Sequence, residues 1–337
     1  MRRRLQIILL ALVAIIALVL IVFVAFITAK PEVPYALPNP NGFDDLAKAG
    51  AAVANGVGEY QRFSQEELRV FVAAHSDALA LARTGLARTC AVPIKTFLED
   101  YQAMSDVLMG QKRLAQLLVA EGQLAELEDR PADAVRSHLD AVRLGQEISR
   151  GGFLINRLVG IACSAIGMAP LGKLAPNLEG EQLKPIVAEL ETIDRAGVTW
   201  EEVWAAEKAF MRHEVRKQPF SLAWLTEWRG FRASIRKGQD KHEESAARLR
   251  LLATELALRG FTTETGRPPA ALDELLPNYL RAVPVDPFTE RPLIYRPQGT
   301  NWLLYSVGPN RLDEGGKPYG PSVSGSGRQG DLFFDSR

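Results

Sequence analysis

Four histidines, two cysteines and a few paired carboxylates are the side chains of this chain that could do chemistry on their own. His75, His138, His213 and His242 all fall in helical stretches. His213-Glu214 and His242-Glu243-Glu244 resemble the start of a helical zinc site, but that site needs a second imidazole four residues on, and those positions hold Lys217 and Ala246. Glu207 and Glu214 lie two helical turns apart on one face, where they could share a site; solvated charge is the alternative reading. Gly167 to Gly172-Lys173 has the glycine and lysine spacing of a phosphate-cradling loop, with Leu174 where the magnesium-binding hydroxyl should stand. No strand pattern precedes it, so a helix end at Pro170 is the alternative. No Gly-x-Ser-x-Gly elbow occurs. Cys90 and Cys163 cannot make a disulfide framework or a four-cysteine zinc site; they form one bridge or remain buried thiols. These patterns assign no catalytic residue.

The elements that would carry these groups are mostly helices. The chain has 337 residues, 47% hydrophobic and 24% charged, with 40 basic residues against 40 acidic ones. That length fits about two domains, and that balance predicts no nucleic-acid partner, because phosphate binding calls for a basic excess. Arg2, Arg3 and Arg4 precede an apolar run from Leu5 to Thr28 that would rise about 36 Å as a helix, enough to cross a bilayer. The run exceeds a cleaved signal and ends in Ile27-Thr28-Ala29, a poor cleavage site, which favours an uncleaved anchor over residues 1–29. The arginines then place the N-terminus in the cytoplasm and the bulk of a single-pass, inner-membrane protein outside it, periplasmic in a Gram-negative cell. Pro31, Pro34, Pro38 and Pro40 make residues 30–44 a semi-rigid spacer.

Residues 45–242 read as a helical domain. Ser64-x-x-Glu67 and Thr199-x-x-Glu202 have capping-box spacing. Breaks are expected at Pro93, Pro131, Gly151-Gly152, Pro170, Pro176, Pro185 and Pro219. The hairpin at 111–149 has two apolar faces, with Gly122, Ala134 and Ala141 where a tetratricopeptide unit keeps small residues; a plain helical hairpin is the other reading. Residues 153–174 are the most apolar internal stretch. Asn156 and Arg157 leave only Leu158–Leu171 uninterrupted, too short for a crossing, so a central buried helix is expected. Phe220, Trp224, Trp228 and Phe231, with Arg229, Arg232 and Arg236, form either an amphipathic core helix or one resting on anionic lipid.

From residue 243 the plan changes. A helix runs into Thr265-Gly266-Arg267-Pro268, then Leu272–Leu275, Tyr279-Leu280, Pro284-x-Asp286-Pro287-Phe288, Pro292-Leu293-Ile294-Tyr295, Leu304-Tyr305-Ser306-Val307-Gly308, Gly315-Gly316 and Asp331-Leu332. Helix followed by a small antiparallel sheet is an α+β arrangement. In order and spacing these residues resemble the globular part of the major pseudopilin of type II secretion, over about the last quarter of the chain. The resemblance implies a pilin-like domain at 243–337 and a calcium ion in the final loop. Carried over by position, its ligands would be Ser306, Asn310, Asp313 and Asp331, with Asn310 where the family has a carboxylate; a loop without metal is the alternative. The prepilin leader junction and its glutamate are missing, so the head reads as a borrowed docking or stabilising module.

The expected whole is mostly α: an N-terminal transmembrane helix through residues 5–28 in the bilayer, an extracytoplasmic helical domain and a C-terminal α+β cap. Its expected role is protein interaction or scaffolding, linked to a secretion or pilus-like assembly. The alternatives are an envelope hydrolase with a site between helical domain and cap, and an envelope-structural protein.

Overall fold

The computed structural model describes Gln6, residues 13–15, 17, 18, 21 and 25, and then 36–53, 57–217, 223–318, 320–321 and 328–334. Its helices are α1 Gly42–Ala52, α2 Gln65–Ala74, α3 Ser76–Leu86, α4 Ile94–Glu99, α5 Tyr101–Leu127, α6 Pro131–Glu147, α7 Leu154–Leu174, α8 Gly180–Arg195, α9 Trp200–Lys217 and α10 Ala223–Thr265. Strands β1 Ile294–Gln298 and β2 Asn301–Tyr305 make one antiparallel pair, and β3 Gly320–Pro321 and β4 Arg328–Gln329 make another.

Local chemistry sets the helix starts. The Ser64 hydroxyl accepts from Glu67 N while the Glu67 carboxylate accepts from Ser64 N, and Thr199 and Glu202 make the same reciprocal pair. Asp100 caps α5 by accepting from Ala103 N, and Pro131 opens α6, where its missing N–H costs nothing. Pro170 and Pro185 do not end helices as expected; they lie inside α7 and α8. An interior proline costs about 3 kcal/mol. The neighbouring turns are anchored by buried Met168, Leu171, Leu183, Ile186 and Val187, whose burial at roughly 1.5–3 kcal/mol each outweighs that loss.

α7 passes through the middle of the bundle against α5, α6, α9 and α10. Its seam with α6 is built from small residues. A Cβ on Gly145 would sit 2.2 Å from Gly160 O, and one on Gly160 would sit 2.0 Å from Ser149 Oγ. Ser164 Oγ donates to Val142 O at 3.0 Å, so the backbones meet through hydrogen bonds as well as contact.

The expected placement in the membrane is corrected here. Among the described residues one helix, Leu154–Asn177, is long and apolar enough to cross a bilayer, and it lies in the middle of the chain. Among the described residues the helix that could cross is thus not an N-terminal anchor, and they do not support a single-pass inner-membrane placement with a periplasmic body. Most of residues 5–28 lie outside the described residues. Asn156 and Arg157 do not shorten the mid-chain helix, because both are buried against protein and the helix runs on through them. Protein interiors satisfy such groups in a way hydrocarbon cannot, and 44% of the most apolar window is covered by the rest of the fold. The side chains of Phe220, Trp224 and Trp228 also lie outside the described residues; Phe231 is half-buried.

Two large apolar cores share this scaffold, with a small third cluster at Ala125, Ala134 and Leu174. One joins α1 to α6, with Phe43, Leu46, Leu114, Leu117, Leu118, Leu144 and Ile148 at its centre. The second joins α7, α8 and α10 to the C-terminal segment through Leu171, Leu183, Leu190, Leu252, Leu256, Leu275, Phe288, Leu304 and Leu332. The expected boundary between residues 242 and 243 falls inside the continuous helix α10. At the C-terminal end, β1 and β2 turn at Gly299, which holds φ +64°, and Ser306 bridges to Leu332. The expected single antiparallel sheet is thus two separate two-stranded ladders. Asp286 ties the loop before β1 to the segment after β2. It is fully buried and accepts from Phe288 N at 3.0 Å, Ser306 Oγ at 3.0 Å and Val307 N at 2.9 Å.

Candidate functional site

The four residues expected to ligate calcium are committed to the protein's own donors. Asp331, fully buried, accepts from Glu314 N at 3.2 Å, Gly316 N at 2.7 Å and Lys317 N at 3.1 Å. Asp313 accepts from the Tyr305 hydroxyl at 2.7 Å and Gly315 N at 2.9 Å, and the Tyr305 contact in particular holds its carboxyl below the usual aspartate range. Ser306 donates to Asp286, while Asn310 donates to Glu314 at 2.9 Å and accepts from Leu312 N. Among the described residues no group of three or more His, Cys, Asp or Glu side chains could hold a metal. The calcium expectation is corrected: these oxygens fasten the final loop by hydrogen bonds.

The other candidates disperse. Glu207 accepts from Leu154 N at 2.9 Å, placing a carboxylate at the positive end of α7, and burial pushes its pKa up. His213 is half-buried two turns further along α9, and the Glu214 side chain lies outside the described residues. Gly167 to Lys173 is wholly helical, and Gly167 faces the α6 backbone at His138 and Val142, which leaves no phosphate cradle. Both cysteines are free and buried; desolvation pushes the Cys90 thiol up to about 12, which makes it an inert packing group.

Two other features do bring residues together. The first is an open groove of about 560 Å³ between α6 and α8. Val135, Leu139, Leu178, Pro185 and Ile186 form its apolar floor, and Arg136, Asp140, Arg143 and Glu189 form its rim. Arg143 reaches across to pair with Glu189, and Asp140 is held by Arg83 at 3.1 Å, so the rim charges balance.

The second is a polar cleft of about 380 Å³ where the end of α6, the starts of α7 and α9, the end of α8 and the middle of α10 converge. Arg157 stands at its base, only 2% exposed. Its Nε donates to His242 Nδ1 at 3.0 Å and its Nη1 donates to Gln146 Oε1 at 3.0 Å. Because a guanidinium only donates, His242 Nδ1 must accept, which leaves the proton of the neutral ring on Nε2. Burial, with the Arg157 charge adding to it, pulls the imidazole down to about 3. Trp200 lies beside it with ring centroids 5.8 Å apart. The sequence marked Arg157 only as an interruption and His242 only as half of a missing zinc pair. The available signal was the arginine itself, since a charge inside a buried apolar helix requires polar company from elsewhere in the fold.

Comparison of the chain with protein-family models, with curated proteins and with solved structures finds no match in any of the three.

Proposed function

We propose that this protein is a helical interaction scaffold whose α6–α8 groove takes the apolar face of a partner protein segment. The groove carries the proposal. An open channel with an apolar floor and a balanced charged rim suits an amphipathic helix or extended segment laid along it. The paired rim charges supply orientation, and the floor supplies affinity. In the same proposal the C-terminal segment serves as a pilin-like docking or stabilising module. What supports that is its helix, hairpin and closing terminal segment in the order the sequence resemblance implies. Association with a type II secretion or pilus-like assembly belongs to this proposal too, and rests on the same resemblance of the last quarter.

The test is a photo-crosslinking residue placed at Leu139 in the whole chain, with a second at exposed Tyr101 on α5 as control. One defined adduct from position 139, absent from position 101 and abolished by adding Val135→Glu, is the expected result. No adduct, or one that Val135→Glu leaves undiminished, contradicts the groove as the interaction site.

A further inference from the structure

Arg157 is a buried charge without a counter-charge. It has no ion-pair partner among the described residues; its contacts, His242 and Gln146, are both neutral. Burying a guanidinium is costly unless a carboxylate or phosphate accepts its remaining N–H groups, and its planar fork fits such anions closely. Nε and Nη1 are engaged, while Nη2 is not among the sealed atoms that lack a partner, so it is the donor open to the cleft. His242 lines the same cleft, and its Nε2–H is likewise neither bonded nor sealed. The two donors are fixed relative to one another by the 3.0 Å bond between their side chains. Val198, Thr199 and Trp200, at the start of the 18-residue helix α9, form another wall.

We infer that this cleft binds a small monocarboxylate, held by Arg157 Nη2 and His242 Nε2–H. The balance of charges around the cleft argues for a single negative charge. Asp194, Glu201 and Glu243 line the cleft together with Arg157, Arg195 and Arg250, Asp194 paired with Arg250 at 2.9 Å and Glu243 3.7 Å from Arg311, so the lining has no net positive charge with which to hold a dianion such as phosphate. The volume suits a compact acid, and the Trp200 ring offers a flat apolar surface to its body. This inference is independent of the α6–α8 groove, which lies elsewhere on the fold.

The test is thermal unfolding of the whole chain at fixed ionic strength and pH 7 in sodium chloride, acetate, benzoate or phosphate. Acetate or benzoate should raise the melting temperature saturably, by about 2–4 °C at roughly tenfold over its Kd, above the chloride baseline. Arg157→Met should abolish the rise. Because that variant disturbs a buried position, Ala246→Leu provides a second arm; it fills the cleft from α10, one turn along from His242, with Arg157 left in place, and should also abolish the rise. Acids that track chloride, a rise that survives Ala246→Leu, or a rise with phosphate alone would each overturn the assignment.

Discussion

His242 shows how a single side chain takes its character from what the fold places beside it. Alone it would titrate near 6.5. Within the cleft, burial and the Arg157 guanidinium depress it to about 3. Above pH 6.5 the ring is neutral in both folded and unfolded chains and contributes no pH dependence. Below that value the unfolded chain takes up a proton that the native one refuses. Stability therefore falls as pH drops from about 6.5 toward 3, by at most about 1.4 kcal/mol per pH unit. Urea unfolding of wild type and His242→Gln at pH 7 and pH 5 measures this, since the contributions of groups common to both proteins cancel in the comparison. Wild type should lose more stability than the variant over that interval; equal losses would show that the imidazole is not held neutral. The residue types were legible in the sequence and their partners were not. Arg157 and His242 are 85 residues apart, and only the packing of α7 against α10 brings them together.

At the scale of the elements, the α6–α7 seam depends on glycines at which a side chain cannot be accommodated. Gly145→Ala would put a methyl 2.2 Å from both Gly160 O and Ser164 Oγ. Backbone has to shift to admit it, and a loss of roughly 2–3 kcal/mol is expected. Gly230→Ala in α10 is the matched control, with no atom within 4 Å of the added Cβ, and should gain about 0.5–1 kcal/mol from helix propensity. Denaturant midpoints of the two variants check both signs; equal effects would mean the seam is looser than described. Much at this scale could be read in advance. Both capping boxes, the proline start of α6, the pairing of α5 and α6 and the central place of α7 follow from local residue chemistry. The breaks expected at Pro170 and Pro185 failed because tertiary burial outweighs a local penalty. The calcium loop failed because backbone amides claim the same oxygens that a cation would.

For the molecule as a whole, the main feature is that the C-terminal segment shares an apolar core with the helices before it. α10 runs unbroken from Ala223 to Thr265, and its buried leucines, Leu249, Leu251, Leu252, Leu256 and Leu258, meet α7 and α8 in one core with Leu275, Phe288, Leu304 and Leu332. A change of sequence character at residue 243 falls within α10, well before the first strand at Ile294, and it carries no information about which earlier helices cover α10. The groove and the cleft both depend on that union, because α8 walls each of them and is held in place by α10. Circular dichroism of fragment 243–337, followed through urea, tests the shared core most directly. Without α7 and α8 the fragment should lack stable helix and unfold without a cooperative transition. A helical, cooperatively unfolding fragment would contradict the account and make the C-terminal segment an independent domain.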